Sequence, residues 1–126
     1  MTDGFAIRFR APSPADAYEL ALAMTAAIYT VVELAEPERY FLRDQLDRRS
    51  AAVPILIAQG HATEVMHDRR TAFRRARQAA RDCLAVLDIF GQRGTVEPAA
   101  LGAARAATRA VIDKLGPLTV APPRVY

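Results

Sequence analysis

An antiparallel four-helix bundle is the fold class this sequence predicts, on three observations. The chain has 126 residues, enough for one core and too few for two. Its apolar residues recur at helical spacing in four separate stretches. Its core material is Leu, Ile, Val and Ala rather than aromatic, with no Trp and only 7% aromatic residues. With 52% apolar and 25% charged residues the composition is that of a folded globular domain and excludes extended disorder.

Residues 1 to 12 set Phe5, Ile7 and Phe9 against Arg8 and Arg10, an alternation that suits an extended arm. Ser13-Pro14 followed by Asp16 reads as a helix start, with a capping hydroxyl, a proline at the first helical position and an acid in the positive first turn. The first helix is expected over about residues 14 to 35. Its polar residues form only a thin stripe, whereas Leu20, Leu22, Met24, Ile28, Tyr29, Val31, Val32 and Leu34 cover the rest. A helix apolar nearly all round needs cover on more than one side. The core supplies one cover and a second subunit is expected to supply the other. The uncharged run from Leu20 to Val32 falls short of the roughly 20 residues a membrane span needs, and no signal-peptide pattern follows it, so a cytoplasmic protein without a membrane partner is expected.

Glu36-Pro37 breaks the pattern, and the second helix is expected over about residues 37 to 60, kinked at Pro54. Gly60 to about Met66 reads as a turn. The third helix, about residues 67 to 90, buries Phe73, Ala76, Ala80, Cys83, Leu84 and Leu87 and stops at Gly91. The short link Gly91-Gln92-Arg93-Gly94 returns the chain antiparallel. It shares a glycine pattern with a phosphate-clamping RNA-binding loop, but that fold needs a sheet this chain lacks. The fourth helix, about residues 96 to 115, is expected to be capped by Thr95, with Pro98 in its first turn, and to end at Gly116-Pro117. The tail to Tyr126 reads as extended.

Net charge is only +3, yet Lys114 is the sole lysine among seventeen cations. Arginine forks onto phosphates and carboxylates alike, so the bias suits phosphate recognition or interfacial ion pairs, and GC-rich coding would produce it with no function at all. The strongest local feature is on the third helix. Arg70, Arg74, Arg77 and Arg81 recur at i, i+4, i+7 and i+11, with Arg69 and Arg75 beside them, which sets guanidinium groups along roughly 16 Å of one face. These six residues are the candidate nucleic-acid-binding set. The alternative is a solvated face, or intersubunit salt bridges to acids such as Asp16, Glu19, Glu33 or Asp44.

Little else suggests chemistry. His61, Glu64 and His67 are three apart, a poor metal spacing on a helix, so no metal site is expected. Cys83 falls on the inward stripe with no neighbouring histidine, and no catalytic residues or cofactor are expected. A lone cysteine permits no internal disulfide.

From Glu38 onward the chain resembles the small four-helix-bundle family often encoded within intervening sequences of bacterial 23S ribosomal RNA genes. The likeness rests on Glu38-Arg39-Tyr40-Phe41-Leu42, Gln45-Leu46, Arg48, Pro54, Ile57-Ala58 and Gly60, and more loosely on Phe73-Arg74 and Ala76-Arg77. In pattern it covers roughly residues 15 to 115. Three positions depart from the family: Leu56 where Asn is usual, Gln59 where Glu is usual and Ala52 where Ser is usual. The resemblance implies a ring-forming bundle, commonly a pentamer, without known enzymatic activity. A related accessory protein of diversity-generating retroelements engages RNA and a reverse transcriptase through a basic surface. An oligomer that binds RNA through the third helix is therefore expected, with a protein-interaction or assembly module as the alternative.

Overall fold

The computed structural model describes residues 14–35 and 40–121, and these form four helices and one closing turn. Helix α1 spans Pro14–Leu34, α2 Tyr40–Ala62, α3 Met66–Arg93 and α4 Pro98–Leu115, followed by a 3-10 turn at Gly116–Thr119. There are no strands among the described residues. Each helix packs on its neighbours in sequence and α1 closes against α4, the arrangement of an up-and-down bundle. One apolar cluster draws on all four helices. Its fully buried members include Met24 and Ile28 of α1, Leu46 and Ile57 of α2, Leu87 and Phe90 of α3 and Leu115 of α4. Leu56 is buried in this cluster, and Gln59 is exposed.

Several expected boundaries move. The arm, the Ser13 cap, the expected start of α2 at residue 37 and the last residues of the tail lie outside the described residues. Gly60 is not a turn residue: α2 continues to Ala62, and Gly60 is buried where Phe73 of α3 crosses it. A Cβ at Gly60 would lie 2.5 Å from Phe73 Cε1, so the glycine is there for close approach of the two helices. The helix runs on through Pro54.

Helix α3 does not stop at Gly91 but continues to Arg93. The stop is Gly94, at φ 66° in the left-handed region, whose N–H bonds the carbonyls of Phe90 and Gly91. Thr95 does not cap α4. The N-cap position is Glu97, which makes no side-chain cap, Pro98 opens the helix, and Thr95 Oγ1 is buried without a partner among the described residues. After α4 the chain makes a further 3-10 turn before becoming extended at Val120, held by a bond from Thr119 Oγ1 to the Gly116 carbonyl (2.7 Å).

Helix α1 bears on the expected need for cover. Ala17, Ala21, Met24, Ile28 and Val31 face the core and are fully buried. Tyr18, Leu22 and Tyr29, at i, i+4 and i+11, form an exposed stripe on another side. By length and composition the stretch Asp16–Leu34 is apolar enough to cross a membrane, longer than its uncharged run suggests, but here its inner face is a wall of the bundle core.

Candidate nucleic-acid interface

The six arginines of the candidate set all lie on α3, and their surroundings divide them. Arg75 and Arg81 are exposed. Arg77 is half-buried and donates from Nε to the Ile112 carbonyl in the last turn of α4 (3.0 Å). Arg74 donates from Nε to the Thr119 carbonyl (3.1 Å) and from Nη1 to Thr71 Oγ1 (3.3 Å). Both therefore use part of their fork to tie the end of α4 and the closing turn onto α3, at the negative end of the α4 dipole where a cation is favoured. Arg43 of α2 does the same for α1, reaching the Val32 carbonyl (3.0 Å).

Ion pairs fall elsewhere. Arg48 pairs with Asp44 (3.0 Å), Arg49 with Asp82 (2.9 Å), Arg105 with Asp88 (2.9 Å) and Lys114 with Asp16 (3.8 Å). None of Arg69, Arg70, Arg74, Arg75, Arg77 and Arg81 forms an ion pair with an acid among the described residues. Within the chain, Asp16 and Asp44 pair with Lys114 and Arg48.

Sequence reasoning missed two contributors from α4. The Arg105–Asp88 pair and the Arg77–Ile112 bond fix the antiparallel register of α3 against α4. Helical spacing then puts Arg109 on the same seam as Arg105, and Arg109 is exposed. The signal was present as the i, i+4 pair Arg105 and Arg109. Also missed was a pocket of about 250 Å³ at the start of α3, lined by Met66, Arg69, Arg70, Phe73, Pro117, Leu118 and Val120. Arg69, one of its lining residues, has its Nε buried without a hydrogen-bond partner among the described residues.

The residues considered for catalysis are dispersed. Burial pushes the Cys83 thiol up to about 12, with the Asp82 charge adding to the effect and Arg49 opposing it. Such a thiol is protonated at neutral pH and is not a nucleophile. His61 lies in the last turn of α2, Glu64 in the link and His67 in the first turn of α3, all exposed, and no group of three or more His, Cys, Asp or Glu residues is placed to hold a metal among the described residues. A larger cleft, about 630 Å³, opens at the α3–α4 link around the Asp88–Arg105 pair, Gly94 and Pro98. On the opposite side a shallow apolar groove of about 450 Å³ lies between Tyr18 and Leu22 of α1 and Pro54, Ile55, Ala58 and Ala62 of α2.

These features define a small all-α bundle with a basic face on α3 and α4 and an apolar one on α1 and α2. The profile of the family described as 23S rRNA-intervening sequence protein matches residues 14–116, and the chain belongs to that family. No curated protein matches the chain.

Proposed function

We propose that this protein is a non-enzymatic, cytoplasmic homo-oligomer, a pentameric ring, that binds structured RNA through the α3 face. The observation that carries the reading is the set of arginines without acids. Acidic side chains pair with Arg48 and Arg49 of α2 and with Arg105 and Lys114 of α4, yet six arginines within thirteen consecutive positions of α3 have no acid in ion-pair range among the described residues. Close like charges are unfavourable unless an anion collects them, and a phosphate backbone is such an anion. Symmetric repetition around a ring multiplies weak phosphate contacts. Support for the ring comes from the family resemblance and from the exposed Tyr18, Leu22, Tyr29 and Ile55 on α1 and α2. That apolar side also favours the second reading, an assembly module with no nucleic-acid partner.

The experiment titrates labelled ribosomal RNA fragments with the protein across a salt series. Arg75→Glu/Arg81→Glu is the appropriate variant, because both side chains are exposed and neither holds the fold, unlike Arg74 and Arg77. Affinity should fall steeply with salt and drop by roughly tenfold or more in the variant, with oligomer mass unchanged. Indifference to RNA at low salt would leave the assembly module.

A further inference from the structure

The pocket at the start of α3 differs from the rest of the basic stripe. Its walls include two guanidinium groups on consecutive residues, Arg69 and Arg70, both half-buried. Neither has an acid in ion-pair range among the described residues, and Arg69 Nε is a buried donor with no acceptor. Two half-buried guanidinium groups without an acid carry uncompensated charge, which an anion beside them would offset.

The surrounding backbone makes the demand sharper. Arg69 and Arg70 sit in the first turns of α3, whose N-cap Val65 supplies no side-chain acceptor. Cations at the positive end of a helix dipole are unfavourable, and Asp68 is the one acid in that turn. An anion in the pocket would meet two guanidinium groups beside the first turns of α3, where the helix dipole favours negative charge.

The remaining walls are apolar. Phe73 is buried, while Met66 is 54% and Val120 63% exposed, with Pro117 and Leu118 between. At about 250 Å³ the space lies just below the roughly 300 Å³ at which ligand pockets usually begin, so it has room for no more than one nucleotide, part of which would lie over the exposed Met66 and Val120 at its rim. A phosphate carrying a sugar and a planar base fits both halves: phosphate oxygens on the arginines, and the base against Met66, Val120 and a guanidinium plane. The pocket is also continuous with the stripe. The Thr119 carbonyl held by Arg74 belongs to the same turn that supplies Pro117 and Leu118.

We infer that the pocket lined by Arg69, Arg70, Met66 and Val120 is a binding site for a single nucleotide through its terminal phosphate. The nucleotide is either the phosphorylated end of an RNA strand lying along α3 or a free mononucleotide; the first rests on the RNA-binding reading and the second does not.

The test uses the intact protein and three RNA oligonucleotides of one sequence, bearing a 5′-phosphate, a 3′-phosphate or neither, with AMP and adenosine titrated separately by calorimetry. For an RNA end, one phosphorylated oligonucleotide binds at least roughly tenfold more tightly than the unphosphorylated one. That advantage disappears in Arg69→Met and Arg70→Met and is reduced in Arg69→Lys, which keeps the charge and loses the fork. It persists in Arg75→Glu/Arg81→Glu, which weakens all three oligonucleotides alike. Circular dichroism and light scattering confirm that each variant keeps its fold and mass. If AMP binds in preference to adenosine, in an Arg69-dependent way, while the oligonucleotides do not differ, the pocket stands and its ligand is a free nucleotide. This holds even if the protein binds no RNA. Equal binding of the three oligonucleotides together with no preference for AMP over adenosine overturns the pocket, and does so even if the stripe binds RNA.

Discussion

The α1–α2 side and the α3–α4 side of this bundle share one core and present opposite surfaces. Exposed large apolar side chains gather on the first: Tyr18, Leu22, Tyr29 and Leu34 on α1, and Tyr40, Phe41 and Ile55 on α2, whereas α3 exposes Met66 and Ile89 and α4 none among the described residues. Arginine gathers on the second, and its cations extend from α3 onto Arg105 and Arg109 of α4. The contrast separates two tasks. An apolar patch is buried cheaply against another apolar patch, and a desolvated row of arginines is not, so self-association and anion binding are proposed for different sides and should be separable by mutation.

The largest expected effect breaks the apolar side. Leu22→Asp/Ile55→Asp places two charges where the side chains are 45% and 56% exposed, so the fold should tolerate them while an interface would not. Light scattering should register a fall to the 13.8 kDa protomer with helical content retained. An oligomer of unchanged mass would remove this side as the assembly surface. On the proposed reading of an RNA-binding ring, that loss of mass should also weaken RNA binding through lost avidity, whereas Arg75→Glu/Arg81→Glu should weaken RNA binding with the oligomer intact.

The next effect tests the core shared by both sides. Cys83 is buried on α3 with its thiol raised from 9.0 to about 12, mainly by desolvation. A raised acid binds its proton more tightly in the folded state, so between those two values the folded chain holds more protons than the unfolded one. Stability is unaffected by this group below pH 9 and declines as pH rises from 9 towards 12. Denaturant midpoints across that range should fall less steeply for Cys83→Ala than for the native chain. Equal slopes would show that Cys83 is not desolvated as described. Alkylation at pH 8 should likewise be slow in the folded protein and fast in denaturant.

Local and long-range features of the bundle differ in how much of them the sequence carries. Helices and core were legible because they rest on local periodicity: Phe73, Ala76, Ala80, Cys83 and Leu87 are buried as spacing requires. The apolar excess of α1 was equally local. What escaped was long-range. Gly60 looks like a turn residue until Phe73 is laid across it, and Gly91 and Gly94 are equivalent stop signals until the backbone selects the left-handed position. Arg74 and Arg77 look identical to Arg70 and Arg81 in spacing. Their acceptors, 45 and 35 residues away in sequence, are main-chain carbonyls, which carry no signature in sequence. The pocket around Arg69 needs the closing turn after α4, a segment the sequence reads as an extended tail.

The smallest effect separates arginines that hold the fold from those that are free. Arg77 bonds the Ile112 carbonyl, and Gly116 lies close enough that a Cβ there would be 3.4 Å from Arg77 Nη2. Arg75 is exposed and makes no such bond among the described residues. Replacing each with Met keeps most of the stem and removes the charge. Arg77→Met should lose about 1 kcal/mol in denaturant unfolding, the worth of one partly buried charge-assisted hydrogen bond. Arg75→Met should stay within about 0.5 kcal/mol of the native chain, as an exposed side chain away from the packing does. On the RNA reading the ranking changes with the readout, because Arg75→Met lowers affinity with no loss of stability. If both substitutions proved equally destabilising, Arg75 would have a structural partner and would leave the proposed binding face. If both were silent, the bond that clips α4 to α3 would contribute nothing measurable, and the basic face would be one continuous row of equivalent cations, as its spacing in sequence suggests.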